Sequence, residues 1–240
     1  MSTPRALVLG ASRGIGRASA RALAAAGWRL RLVARSEEPL AALVADLPAG
    51  PHRALAVDLT APTGREALVN WLGDDLPDAV VQCLGGRSQP SARDRWEAAL
   101  ELNFHSVVAL DELLLPRLLA RGSGTIVHLS SSAAVHGRAF APYAAAKAAL
   151  NRYIVNRGRE CLPRGVVLTG LMPAAVEGDN NDWAQSRTTD PARHARMEEG
   201  QILGRAQTTD EVAAVVAFLC SPAGRLFGGC VLPADPTLDH

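Results

Sequence analysis

Lysine is almost missing from this chain: of 25 basic residues in 240, all but Lys147 are arginine. Tyrosine is nearly as rare, with Tyr143 and Tyr153 the only two. The four cysteines (Cys83, Cys161, Cys220, Cys230) are scattered. They lack the paired spacing of a metal or redox site, so they read as reduced, mostly buried thiols of a cytoplasmic protein. No window approaches the ~20 apolar residues of a membrane span. The start, Met1-Ser2-Thr3-Pro4-Arg5, lacks the apolar stretch and cleavage site of a signal peptide. Neither charge sign dominates. The net charge is +1, which argues against a surface for nucleic acid or another polyanion. No Pro/Gly/Ser-rich linker and no internal repeat divides residues 1–240, so a single domain is expected, long enough for a sizeable core.

What is present is alternation. Apolar strand-like runs at 5–9, 29–34, 54–57, 79–84, 125–129 and 166–171 are separated by helical stretches. Those stretches fall at 14–26, 37–47, 63–72, within 93–120, and at 143–161. A further helix is expected at 211–219 and a last short strand at 230–232, while 173–205 shows no clear strand. Strands alternating with helices predict a parallel sheet covered on both faces. The fold class is α/β, a doubly wound Rossmann-type domain with a seven-stranded parallel sheet.

The first strand ends in Gly10-Ala11-Ser12-Arg13-Gly14-Ile15-Gly16. Glycines at 10, 14 and 16, between a strand and a helix, let backbone N–H groups approach a pyrophosphate. The helix N-terminus adds partial positive charge. An isolated glycine pattern can also be an ordinary turn, and the strand–helix context is what favours phosphate binding. The second strand ends in Leu32-Val33-Ala34-Arg35-Ser36, with no acid before Glu37. An acid there would accept from the ribose 2′-hydroxyl of NAD. Arg35 and Arg13 instead suit a 2′-phosphate through charge-assisted hydrogen bonds, so NADP(H) is the expected cofactor. The competing reading is two solvated surface arginines. Asp58, followed by Leu59, could accept from the adenine amino group, or could be a cap or turn residue.

The segment Ile126-Val127-His128-Leu129-Ser130-Ser131-Ser132 precedes Tyr143-Ala144-Ala145-Ala146-Lys147. The single lysine thus follows a tyrosine by four residues, on the same helix face. A free tyrosine has a pKa of about 10, so roughly 0.1% is ionised at neutral pH. A neighbouring ammonium stabilises the phenolate and makes Tyr143 a usable acid or base. A serine at the end of the fifth strand could hold a substrate oxygen.

Taken together, the glycine loop, Asp58, the Trp96-to-Asn103 spacing, the serine, and Tyr143 with Lys147 resemble the classical short-chain dehydrogenase/reductase family. The likeness extends from Gly10 to about Leu232 and is similar to the 3-oxoacyl-acyl-carrier-protein reductase branch. It implies a tetrad of Asn103, Ser131, Tyr143 and Lys147. Tyr143 would protonate the carbonyl oxygen during reduction, and Ser131 would hydrogen-bond that oxygen. Lys147 would lower the Tyr143 pKa and bind the nicotinamide ribose. Asn103 would hold a water in a proton relay. The resemblance also implies cofactor contacts from Leu84, Gly85 and Pro173, and a homodimer or homotetramer with helices around 93–120 and 143–161 at one interface. For the serine, the family's thirteen-residue interval to tyrosine picks Ser130, whereas alignment through Leu129 and Gly137 picks Ser131. The strand alignment is preferred, because loops absorb deletions more easily than strands.

Several positions depart from the family. Its Asn-Asn-Ala-Gly is Gln82-Cys83-Leu84-Gly85 here, and its Pro-Gly is Pro173-Ala174. The threonine expected soon after is missing, with Val176 and Glu177 in its place, and the late Asp-Gly-Gly becomes Asp235-Pro236-Thr237. The expected activity is NADPH-dependent reduction of a small-molecule or acyl-thioester carbonyl. The alternatives are a secondary-alcohol dehydrogenase, an epimerase using the nicotinamide transiently, and a non-catalytic nucleotide-binding subunit. An acyl-carrier substrate would call for a basic entrance, for which Arg87, Arg93, Arg95, Arg138, Arg187, Arg193 and Arg196 are candidates. The stretch 174–203 is expected to form a substrate lid, with Trp183, Met197 and Ile202 closing over the substrate.

Overall fold

The computed structural model describes residues 3–86, 94–135, 140–179 and 182–236. Arg87, Arg93, Arg138 and Gly137 lie outside them. Seven parallel strands form the main sheet: β1 (Arg5–Leu9), β2 (Arg29–Ala34), β3 (Arg53–Ala56), β4 (Ala79–Gln82), β5 (Gly124–Leu129), β6 (Val166–Pro173) and, last in the chain, β9 (Val231–Ala234). Their order is β3-β2-β1-β4-β5-β6-β9. The order reverses between β1 and β4, and at such a switch point the strand ends leave a crevice for a ligand.

Side chains alternate across the sheet, so each strand feeds two cores. Ala6 and Val8 of β1 face one core with Leu23 of α1 (Gly14–Ala25), Leu40 of α2 (Glu37–Asp46) and Val216 of α9 (Thr209–Cys220). Leu7 and Leu9 face the other with Leu68 of α3 (Pro62–Leu72), Leu114 of α5 (Ser106–Arg121) and Cys161 of α6 (Ala141–Cys161). Central strands covered on both faces must be apolar throughout, which is why all eight residues of β6 are buried.

Three features depart from the sequence reading. The long helix expected within 93–120 is divided. A short α4 (Arg95–Leu100) runs into one wide π turn, Glu101–His105, before α5 begins. The stretch without an expected strand holds β7 (Val176–Glu177), which pairs in parallel with β8 (Gln207–Thr208). Two-residue strands carry too little periodicity to be legible. Between them stand α7 (Asp182–Thr189) and α8 (Pro191–Glu199). Finally, α9 starts earlier than expected because Thr208 and Glu211 form a capping box. No helix among the described residues is long and apolar enough to cross a membrane.

Candidate active site

The carboxyl ends of β1, β4, β5 and β6 assemble the site. Parallel pairing brings Leu9 beside Gln82, Gln82 beside His128, and Leu129 beside Leu171. Every loop that follows these residues therefore emerges on the same edge.

The glycine loop hangs from β2: Gly10 and Ala11 both donate to the Val33 carbonyl, at 2.8 and 3.1 Å. A Cβ on Gly16 would stand 2.2 Å from the Gly10 carbonyl oxygen, so only glycine lets α1 sit directly on the loop. Arg17 ties the loop down by donating to the Ser12 carbonyl from two nitrogens, at 3.1 and 2.8 Å. Ile15 packs on the core, and Arg13 is exposed at the N-cap position. An anion already sits at this helix end. The Gly14 N–H donates to Asp179 Oδ2 at 3.3 Å, and Arg17 pairs with the same oxygen at 3.2 Å. The cradle thus fits a phosphate, and a carboxylate of the chain itself stands in for one.

Arg35 is exposed just past β2. Asp58 lies near enough to feel it. Hydrogen bonds from the Thr60 N–H and hydroxyl, at 2.9 and 2.8 Å, hold the Asp58 carboxyl below its usual range, and the Arg35 charge adds to this. One Asp58 oxygen therefore closes a turn, the second of the two readings open to it. The Leu59 side chain is buried in the core beneath, so only its main chain is left to face a ligand.

Tyr143 and Lys147 share one face of α6, with Nζ 5.8 Å from the Tyr143 ring centre. Lys147 is buried and donates to the Leu129 carbonyl at 2.7 Å. Gly85 (φ +144°) passes so close that a Cβ would lie 2.8 Å from Asn103 Oδ1 and 3.0 Å from Lys147 Nζ. Asn103 sits in the π turn and its side chain makes three hydrogen bonds. It accepts from the Gly86 N–H at 2.9 Å and donates to the Gly86 and Ala99 carbonyls at 3.1 and 2.9 Å. Its side chain braces the Gly85–Gly86 segment beside Lys147.

Burial pushes Lys147 down to about 8, partly opposed by Cys83, whose own thiol burial pushes up to about 12. At neutral pH the thiol is protonated and unreactive. The lysine has a consequence for stability. Its folded pKa lies below the unfolded 10.5, so the folded state binds fewer protons between those values. The cost of burying the charge, about 3 kcal/mol, is fully present below pH 8 and relieved as pH rises towards 10.5. Urea titrations of the cofactor-free protein should show Lys147 contributing increasing stability from about pH 8 to 10. A Lys147→Met variant should lose that slope. An identical pH slope in the two proteins would contradict the assignment.

The three serines separate by environment. Ser130 is buried and its hydroxyl donates to Asn151 Oδ1, while Asn151 Nδ2 contacts Met172 Sδ at 3.0 Å. Ser132 is also buried. Ser131 is half-buried; its Oγ accepts from the Ala133 N–H at 3.2 Å, which leaves the hydroxyl hydrogen to donate.

Behind this edge lies a polar cluster that the sequence reading missed. Asp111 and His128 are both fully buried, with Nε2 and Oδ2 3.0 Å apart, and Gln82 donates to Asp111 Oδ1 at 3.1 Å. The Tyr153 hydroxyl faces the same carboxylate, and burial together with Asp111 raises its pKa well above the ordinary phenol value. Asn151 was equally missed, although it lies four residues after Lys147, on the face already identified.

A family model for short chain dehydrogenase matches residues 4–188. The chain belongs to the short-chain dehydrogenase family. This is a family of oxidoreductases that use a nicotinamide cofactor. Among similar short-chain dehydrogenases is a 3-oxoacyl-[acyl-carrier-protein] reductase of Vibrio cholerae. It is 30% identical over 231 residues, covering 93% of this chain and 92% of the relative. The D-erythrulose reductase of Gallus gallus is 30% identical over 236 residues, covering 96% and 94%. Among solved structures, L-sorbose reductase from Gluconobacter frateurii, complexed with NADPH and L-sorbose, superposes with a TM-score of 0.85. It is 25% identical and covers 98% of this chain and 95% of that one.

Proposed function

We propose that this short-chain dehydrogenase is an NADP(H)-dependent carbonyl reductase that converts a ketone, of a small molecule or a 3-oxoacyl thioester, to a secondary alcohol. The observation that carries the reading is the buried Lys147, held between the Leu129 carbonyl, Gly85 and the Tyr143 ring on the edge that also carries the glycine loop. Gly10, Ser12, Gly14, Ile15 and Gly16 would hold the pyrophosphate, and Arg13 and Arg35 the 2′-phosphate. Asp58 and the Leu59 main chain border the adenine, and Leu84, Gly85 and Pro173 the nicotinamide. The bound cofactor supplies the hydride.

The chain's own residues supply the rest. Tyr143 gives its proton to the carbonyl oxygen, and Lys147 lowers the cost of leaving a phenolate behind. Ser131, the serine whose hydroxyl is not committed to the protein core, donates to the same oxygen and fixes its direction. Asn103 keeps Gly85 against Lys147, so that the lysine cannot swing away. Residues 174–205 act as the substrate loop of a single domain, with the β7–β8 pair at its base. Trp183 is buried edge-on to His194 inside the α7–α8 hairpin and packs that hairpin together. Ile202 is 70% exposed and remains a candidate contact to substrate. Arg187 is paired with Glu177 at 2.7 Å, so it adds less to a basic entrance than its charge suggests. The exposed Trp96 and Leu113, on α4 and α5, support an interface of a homodimer or homotetramer there.

The test is NADPH consumption across a panel of ketones, sugars and 3-oxoacyl thioesters, followed by absorbance. No consumption with any of them, by a protein that binds NADPH, would overturn the reductase reading. The cofactor preference is tested with Arg35→Asp. This change should weaken NADPH binding by about 1.5–3 kcal/mol, the worth of a charged hydrogen bond, and affect NADH much less. Equal effects on the two cofactors in fluorescence titrations would exclude Arg35 as the selector.

A further inference from the structure

The N-terminus of α1 has no acceptor of its own. The N-cap residue is Arg13, whose side chain makes no capping bond and could not accept one, and the first turn contains no acid. Glycine-loop helices leave these N–H groups open, and here the opening is filled from the far end of the chain. Asp179 lies 165 residues from Gly14 in sequence and accepts its N–H at 3.3 Å, while pairing with Arg17 at 3.2 Å. Its reach is set by the β7–β8 pair two residues before it. Gln207 anchors that pair by accepting from the Ala174 N–H at 3.1 Å and donating to the Ala234 carbonyl at 2.6 Å. A short, fixed arm therefore delivers one carboxylate to the helix end.

We propose that Asp179 is an autoinhibitory latch: its carboxylate occupies the seat of the cofactor pyrophosphate and must leave before NADP(H) binds, which releases the base of the substrate loop. The inference rests on reading the glycine loop as the pyrophosphate site. A carboxylate and a pyrophosphate cannot share the Gly14 N–H and the Arg17 guanidinium, and their like charges repel. The apparent affinity for cofactor is then the intrinsic affinity reduced by the fraction of molecules that are unlatched. The latch is shallow, because Arg17 and Asp179 side chains keep 32% and 50% of their exposure and water screens the pair. It tunes cofactor binding without blocking it. It also couples the two ligands in order. Cofactor displaces Asp179, and only then is the loop that follows free to settle on substrate.

The experiment is direct titration of NADPH, by calorimetry or fluorescence, into the whole protein without substrate. Asp179→Asn removes the charge from an exposed position, so the fold should survive; its Kd for NADPH should fall about three- to tenfold. Asp46→Asn, which makes the same change in net charge on a carboxylate paired with Arg21 instead, should leave the Kd unchanged. Equal or weaker binding by Asp179→Asn overturns the latch while the nucleotide reading stands. Equal tightening in both variants also overturns it, because the effect would then be long-range charge. If neither the wild type nor the variants bind NADPH, the nucleotide reading fails and the latch with it.

Discussion

Replacing Tyr143 with phenylalanine is expected to lower kcat by about 10²–10⁴-fold, the usual contribution of a positioned general acid, while NADPH affinity stays near that of the wild type. The chain offers two tyrosines for this role, and their environments are opposite. Tyr153 is turned towards the Asp111 carboxylate, and burial with that negative charge keeps it protonated. A phenol so placed holds its proton more tightly than a free one. Tyr143 stands beside the buried ammonium of Lys147, a charge that favours the phenolate left after proton transfer. The hydroxyl is lost in Tyr143→Phe and the ring is kept, so binding of the nucleotide should be spared. A Phe variant retaining more than about a tenth of wild-type kcat would exclude Tyr143 as the proton donor. The matched change Tyr153→Phe should act on stability and leave the chemical step nearly untouched.

Asp111→Ala is expected to cost about 3–5 kcal/mol of folding stability, since it breaks a buried pair and leaves the Gln82 amide without its acceptor. Asp111 and His128 are at 0% exposure, and Gln82 and Tyr153 converge on the same carboxylate. For a chain of this length, the midpoint of thermal unfolding should fall by about 6–20 °C. Asp111→Asn keeps the shape and one acceptor, and should recover part of the loss. Thermal and urea unfolding of the two variants checks this. A loss under about 1 kcal/mol in Asp111→Ala would mean that the cluster is not a coupled network. Gln82 ends β4 and His128 lies one residue before the end of β5, so the cluster sits directly behind the segments that lead into Cys83–Gly85 and Ser130–Ser131.

Much of this protein is legible in one dimension. Strands β1 and β2 fall where their apolar runs stand, because the inner part of a central strand is buried on both faces. The glycine loop is legible because no other residue fits between strand and helix. Tyr143 and Lys147 are legible because four residues make one helical turn. These are local rules, in which neighbours in sequence constrain one another. The site's remaining features join residues that are far apart in sequence, and periodicity has nothing to say about them. The π turn at Asn103 looks like ordinary helix until Gly85 and Lys147 are brought against it. Gln82, Asp111, His128 and Tyr153 each look unremarkable alone, and become one cluster only when β4, β5, α5 and α6 pack. Trp183 reads as a group that closes over substrate, yet it is buried against His194 within the α7–α8 hairpin. Asp179 is one acid in a polar stretch, and only the fold carries it to Gly14. Composition and spacing alone determined the sheet, the glycine loop and the tyrosine–lysine pair. Tertiary packing decided which serine stays open, how far the lysine is desolvated and what rests on the end of the first helix, because burial and long-range pairing set hydrogen bonding and charge there.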